Sequence, residues 1–227
     1  MTITDKDLWY ATVLSYQNKM YHVVGKKVSG IKKSKIVDST SDSNGNHASY
    51  ESHGLQASLI KVNGQYVVAA RGTANEAQDF VADYDLTDPD AYKKPSQFKD
   101  FDRFIEKMQK LHPDFDPHKA VYTGHSLGGA LASQAAVHYD AQASVFSAPS
   151  AYNQLNPMER AKLWLGIYQT KIKNSKHPND AIPNLPGMAV PSVGRQVFTP
   201  NYKSDPTKFA QIKDRKTAAL YQMFGIE

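Results

Sequence analysis

No cysteine occurs in the 227 residues. Its absence excludes disulfides, thiolate nucleophiles and cysteine-bound zinc together, and leaves the redox compartment open. Long apolar runs are missing as well. Nothing approaches the roughly eighteen uninterrupted apolar residues of a membrane-spanning helix. The start, Met1 to Asp7, has no basic stretch leading into an apolar one, so no secretory signal is read there. The expectation is a cytoplasmic protein, or one exported without an N-terminal signal peptide. Histidine gives out early: of eight, none follows His177.

What is present describes an ordinary folded protein. Apolar residues make up 41% and charged residues 22%, far from the composition of a disordered chain. The length suits one domain over 1–227 that buries enough apolar surface to need no metal or disulfide for stability. The net charge is +5, and part of the excess sits in Lys26, Lys27, Lys32, Lys33 and Lys35. These are read first as a solvated basic strand or loop. The functional reading is attraction to phosphates on a membrane surface. Nucleic acid is not expected as a partner, because no binding motif accompanies the lysines.

Along the chain, Leu8, Trp9, Ala11, Thr12, Val13, Leu14 and Tyr16 predict a packed helix within Asp7–Met20. Ala57–Val62 and Gln65–Ala70 are β-rich runs around Asn63-Gly64, the pair favoured in a two-residue hairpin turn with positive φ at both positions. After Pro95-Ser96, Phe98, Phe101, Phe104, Ile105, Met108 and Leu111 recur at helical spacing, and His112-Pro113 ends the run. Ala120–Thr123 reads as a buried strand, Leu127–Tyr139 as a helix and Ala143–Ser147 as a strand. Asn156-Pro157-Met158-Glu159 is a helix start, with Asn as cap and Pro in the first position. Tyr168–Ile172 alternates like a strand, and the stretch from Phe209 to Phe224 is expected to be helical. Alternating strands and helices predict an α/β fold: a mainly parallel sheet with helices on both faces and an antiparallel N-terminal hairpin.

The chemistry gathers at Gly124-His125-Ser126-Leu127-Gly128. A Gly-x-Ser-x-Gly match is weak alone, but here the serine ends a predicted strand and opens a predicted helix, the setting of a nucleophile elbow. Gly124 and Gly128 relieve crowding at the turn, while Gly129 and Ala130 let the helix pack close to the sheet. The helix N-terminus then offers free N–H groups to a developing oxyanion. His125 is not read as the base. Neighbouring residues at an elbow project apart, so it is expected to pack or hydrogen-bond behind the serine.

Four segments in order carry a resemblance to a known family. Val121–Ala132 resembles the nucleophile segment of the class 3 lipases, within the α/β-hydrolases. Ala70-Arg71-Gly72-Thr73, followed by Gln78-Asp79-Phe80 and Asp83, resembles their oxyanion segment. Val145–Pro149 resembles the strand end after the elbow helix. Asn174 and then Asp180–Pro186 resemble the acid loop. The resemblance implies an α/β-hydrolase fold with Ser126 as nucleophile. The oxyanion would be held by the Leu127 backbone and by the backbone and hydroxyl of Thr73, and Asp180 would orient a histidine. No cofactor or metal is implied.

The family's histidine follows the acid, and none follows Asp180 here. Three explanations stand. The base has been replaced near Asp214-Arg215-Lys216-Thr217, where arginine is no base. It lies beyond Glu227. Or it comes from upstream, where His47 and His53 enter beside the first hairpin strand and His177 sits in the acid loop itself. Replacement or loss leads. The expected function is a serine ester hydrolase of the lipase or phospholipase type acting on lipid acyl esters, with peripheral contact to a membrane surface. The alternatives are a lipase-like binding or effector module without a working base, and an acyltransferase using the same acyl-enzyme.

Overall fold

The computed structural model describes residues 2–16, 23–40, 55–72, 88–94, 96–176 and 190–198. Its sheet is organised by the predicted hairpin. Asn63 (φ 51°) and Gly64 (φ 89°) both take left-handed backbone, joining β2 (Ala57–Val62) to β3 (Gln65–Ala70) with Val62 opposite Gln65 and Ala57 opposite Ala70. Outside β2 lies β1 (Ser34–Ser39), also antiparallel, with a register shift between Ile36 and Asp38. On the other side, β4 (Val121–His125), β5 (Gln142–Phe146), β6 (Ile172–Lys176) and β7 (Arg195–Phe198) follow β3 in parallel and in sequence order. The result is a seven-stranded, mostly parallel sheet in a mixed α/β fold.

Four α-helices cover it among the described residues. Helix α1 (Asp5–Ser15) lies on one face, where Leu8, Ala11 and Leu14 pack with Ile36, Ile60, Val67 and Ala69. Thr4 caps it through a capping box with Asp7. The opposite face carries α2 (Gln97–Leu111), α3 (Leu127–His138) and α4 (Pro157–Trp164). Phe98, Phe101, Phe104, Ile105 and Met108 of α2 are all buried there, as their spacing predicts, whereas Leu111 in the last helical position is exposed. Helix α3 is almost wholly apolar, with Ser133 and Gln134 the exceptions before His138, because it is enclosed all round: every residue from Leu127 to Val137 is buried.

One expectation needs correction. Tyr168–Ile172 is not a strand. Ile167–Gln169 forms a short 3-10 turn, and β6 begins only at Ile172. The apparent alternation arises because Tyr168 turns inward for another reason, burying its ring and donating from its hydroxyl to the Val137 carbonyl at 3.2 Å. Lys26, Lys27, Lys32, Lys33 and Lys35, in the segment leading into β1 and on β1 itself, are exposed and pair with no carboxylate among the described residues. The helix expected over Phe209–Phe224 lies outside the described residues.

Candidate active site

Parallel register decides what meets at the centre of the sheet. Ala70 of β3 stands opposite Gly124 of β4, so Arg71-Gly72 runs beside His125-Ser126. On the other side His125 stands opposite Phe146, and the Ser126 N–H donates to the Phe146 carbonyl at 3.0 Å. The nucleophile candidate thus sits where three parallel strands end together.

At Ser126 the chain turns from β4 into α3 with φ 53° and ψ −128°, a backbone that side-chain-bearing residues rarely hold and that costs about 1–3 kcal/mol. Its carbonyl accepts from the N–H groups of Gly129 (2.9 Å) and Ala130 (3.1 Å), which starts the helix. The amides of Leu127 and Gly128, in the first turn, have no helical acceptor and carry the positive end of the helix dipole. The glycines hold this geometry for steric reasons. A Cβ on Gly124 would lie 2.3 Å from the Gly128 backbone, and one on Gly128 would lie 2.2 Å from the Ala70 carbonyl oxygen. Gly129 does the same work against Ala148, at 2.6 Å. Gly72 passes so close that its Cβ would meet the His125 carbonyl oxygen at 2.6 Å and the Ser126 Cβ at 3.2 Å.

Period-two alternation settles His125. Tyr122 and Gly124 face α3, while Thr123 and His125 face α1. The His125 imidazole accordingly lies behind the serine, buried, edge-on to Trp9 at 6.5 Å and to Tyr16 at 6.0 Å between ring centres. Burial drives its pKa down to about 3, so the ring is neutral at neutral pH. A packing role for this residue, rather than one as base, is what that geometry supports.

Tyr16 escaped the sequence reading. The sequence places it only in a packed helix, yet its hydroxyl accepts from the Gly72 N–H at 3.1 Å and lies 3.1 Å from His125 Nδ1 and 3.3 Å from the His125 carbonyl oxygen. One hydroxyl at the end of α1 therefore joins the two chain segments flanking Ser126. Nothing in local sequence signals this. The rest of α1 is seated similarly: Thr12 and Thr123 hydroxyls are 3.0 Å apart, Ser144 donates to Asp5 at 2.9 Å, and Lys173 pairs with Asp5.

The other described histidines are engaged elsewhere. His112 Nε2 is 3.2 Å from Asp38 on the edge strand, His118 Nδ1 is 2.6 Å from the Tyr139 carbonyl, and His138 Nδ1 is 2.9 Å from Glu159, whose hydrogen bond raises its pKa. His138 and His118 are both at the far end of α3 from Ser126. Asn174 is structural: its amide donates to the Ala148 carbonyl at 2.8 Å and accepts from the Ala148 N–H at 3.2 Å, pinning the chain beyond β5. Thr73, Asp180, His47, His53 and His177 lie outside the described residues.

Residues 20–162 match the family model of the Tle-like phospholipase domain, described as phospholipase-like. That span is more than half of the chain and holds β1 to β5, Gly72 and Ser126. The chain belongs to this family. Its function is of the lipase or phospholipase type, with lipid as the substrate class. The family shown is phospholipase-like and does not single out the class 3 lipases, and the match ends before the segment of Asp180. No curated protein matches the chain.

Proposed function

We propose that this chain is an α/β-hydrolase of the serine type, close to the class 3 lipases, that cleaves phospholipid acyl esters through a Ser126 acyl-enzyme. The observation that carries the reading is the backbone of Ser126: φ 53°, ψ −128°, at the junction of a central parallel strand and a buried helix. That turn lifts the serine out of the sheet and aims the first helical amides at whatever binds its hydroxyl.

In this reading a histidine takes the Ser126 proton as Oγ attacks the acyl carbonyl. The oxyanion is met by the Leu127 N–H and by the backbone and hydroxyl of Thr73. The proton passes to the departing alcohol, and water then cleaves the acyl-enzyme by the reverse proton path. Asp180 orients the base, which comes from His53, His47 or His177. Each oxyanion donor is worth about 10²–10³ in rate.

The test is hydrolysis of short- and long-chain p-nitrophenyl esters and of phospholipid, comparing the unmodified chain with Ser126→Ala. Activity lost in the variant supports the acyl-enzyme, and single substitutions of His47, His53 and His177 then locate the base. If both proteins are inert, the hydrolase reading fails for this chain and a lipid-binding module without a working base takes its place.

A further inference from the structure

Four large apolar side chains stand in solvent within ten residues: Met158 (68% exposed), Trp164 (70%), Leu165 (78%) and Ile167 (41%). Exposed apolar residues scattered singly need no explanation, but a contiguous set does. Chain adjacency brings three of them together, since Trp164 ends α4, Leu165 caps it and Ile167 opens the next turn, and helical spacing adds the fourth. Met158, Ala161, Lys162 and Leu165 follow one another at i, i+3, i+4 and i+7 along the outward side of α4, while Glu159 and Leu163 are buried.

The surface is firmly held. Asn156 caps α4 through bonds to the Met158 and Glu159 amides, with Glu159 answering on the Asn156 N–H. Trp164 donates its indole N–H to the Tyr152 hydroxyl at 3.2 Å, which leaves the apolar rim of the ring outward. Arg160 donates to the carbonyls of Tyr152, Asn153 and Pro89 and lies 5.0 Å and 5.5 Å from the ring centres of Tyr152 and Tyr92.

Charge narrows the choice of occupant. The only acid of α4, Glu159, is turned inward onto His138. Arg160 and Lys162 have no carboxylate partner among the described residues, and nearby Asp140 is paired with Lys171. The face therefore combines an interfacial tryptophan, aliphatic side chains and the exposed cation of Lys162, with the charge of Arg160 behind it and no acid to balance either among the described residues. An apolar protein partner would match the hydrophobic half alone. A phosphate-bearing lipid surface matches both halves.

We propose that the exposed C-terminal end of α4 and the turn after it form a docking surface for an anionic phospholipid bilayer, with Trp164, Leu165 and Ile167 entering the boundary between headgroups and acyl chains while Lys162 meets the phosphates. The inference deepens the phospholipid reading and rests on it. The chain enters α4 after leaving the Ser126 end of β5 and returns to start β6 at the opposite end, so the face runs down the flank of the molecule. Docking and chemistry are therefore separable.

The two tryptophans make this measurable, because Trp9 is fully buried and Trp164 is not. Vesicles of mixed phosphatidylcholine and phosphatidylglycerol, with acyl chains brominated near the headgroup, are titrated into the Ser126→Ala chain, which leaves the lipid intact. The expected result is a blue-shifted, quenched emission that disappears in Trp164→Phe and weakens as salt is raised. Partition should fall by about tenfold or more in Trp164→Ala/Leu165→Ala, since those are the groups that leave water. Binding without Trp164 quenching, including binding abolished only by replacing Lys26, Lys27, Lys32 and Lys33, overturns the proposal. A dimer in light scattering that the same α4 substitutions dissociate overturns it too. Hydrolysis of a soluble short-chain ester by the chain with Ser126 intact is followed in parallel. Its absence sinks the catalytic reading, whatever the vesicles show.

Discussion

The Tyr16 hydroxyl lies 3.1 Å from His125 Nδ1, and through its bond to Gly72 it ties the end of β3 to the end of β4. Burial pushes the phenol well above the ordinary tyrosine range, so it stays protonated. Its single proton goes to either Nδ1 or the carbonyl of His125, while its lone pair takes the Gly72 N–H. Tyr16→Phe keeps the ring but strands that buried N–H, at about 1–3 kcal/mol. For a chain of this size the expected fall in melting temperature is about 2–4 °C per kcal/mol. If Tyr16 also positions the segment beside Ser126, kcat for a soluble ester falls more than KM rises. An unchanged melting temperature would show that water satisfies Gly72 and that the hydroxyl does not hold the two strands together.

Why Tyr16 was invisible in the sequence explains what else was. The Asn63-Gly64 hairpin, the Asn156 cap and the Ser126 elbow were legible because each is decided by residues within a few positions of one another. The Tyr16 hydroxyl instead meets residues 56 and 109 positions away. The edge strand β1 was read only as a basic strand or loop, since Lys35 and Asp38 interrupt its apolar pattern and its pairing with β2 carries a register shift. Strand β7 (Arg195–Phe198) is four residues without a buried side chain and gave no periodic signal. Tyr168 misled in the opposite direction: its inward ring imitated a strand position while serving to close the bottom of α3. For the site, the serine and its glycines were readable. A base was not, because histidine reveals nothing of its partners in sequence, and His47, His53 and His177 lie outside the described residues.

His125 predicts acid sensitivity with a definite sign. The folded chain holds its imidazole neutral down to about pH 3, whereas an unfolded histidine takes a proton near pH 6.5. Between those values the unfolded state binds the extra proton. Stability is therefore fully present above about pH 6.5 and is lost as pH falls, by up to about 1.4 kcal/mol per unit from this residue. Urea midpoints at pH 7 and pH 4.5 should drop more for the unmodified chain than for His125→Phe, which keeps an aromatic ring beside Trp9 but cannot titrate. Equal drops would show that water or a rearrangement relieves the buried ring.

Ser126 makes a prediction that needs no substrate. Ser126→Ala and Ser126→Gly both remove the hydroxyl, so they differ only in what the backbone tolerates. Alanine keeps the strain of φ 53° and ψ −128°, while glycine adopts it freely, at an entropic cost of about 0.5–1 kcal/mol. Glycine is expected to be the more stable of the two by about 1 kcal/mol in urea denaturation. The reverse order would mean that the turn is relaxed and that Ser126 is not held in its position by strain.

Away from the site, Asp102 of α2 is wedged against Gln134 of α3, accepting from its amide at 3.4 Å, while Asp102 Oδ1 and Gln134 Oε1 are buried with no hydrogen-bond partner among the described residues. Burial pushes the Asp102 pKa up to about 6 from 3.8, against the pull of His138 and Lys99. Here the folded state binds the extra proton between those two values, so this group's contribution falls as pH rises from about 4 to 6 and stays low above. Asp102→Asn removes the buried charge, and its amide N–H₂ can donate to Gln134 Oε1. The variant should match the unmodified chain near pH 4 and exceed it at pH 8 by about 1–2 kcal/mol. A constant offset at both pH values would mean that Asp102 ionises as it does in water.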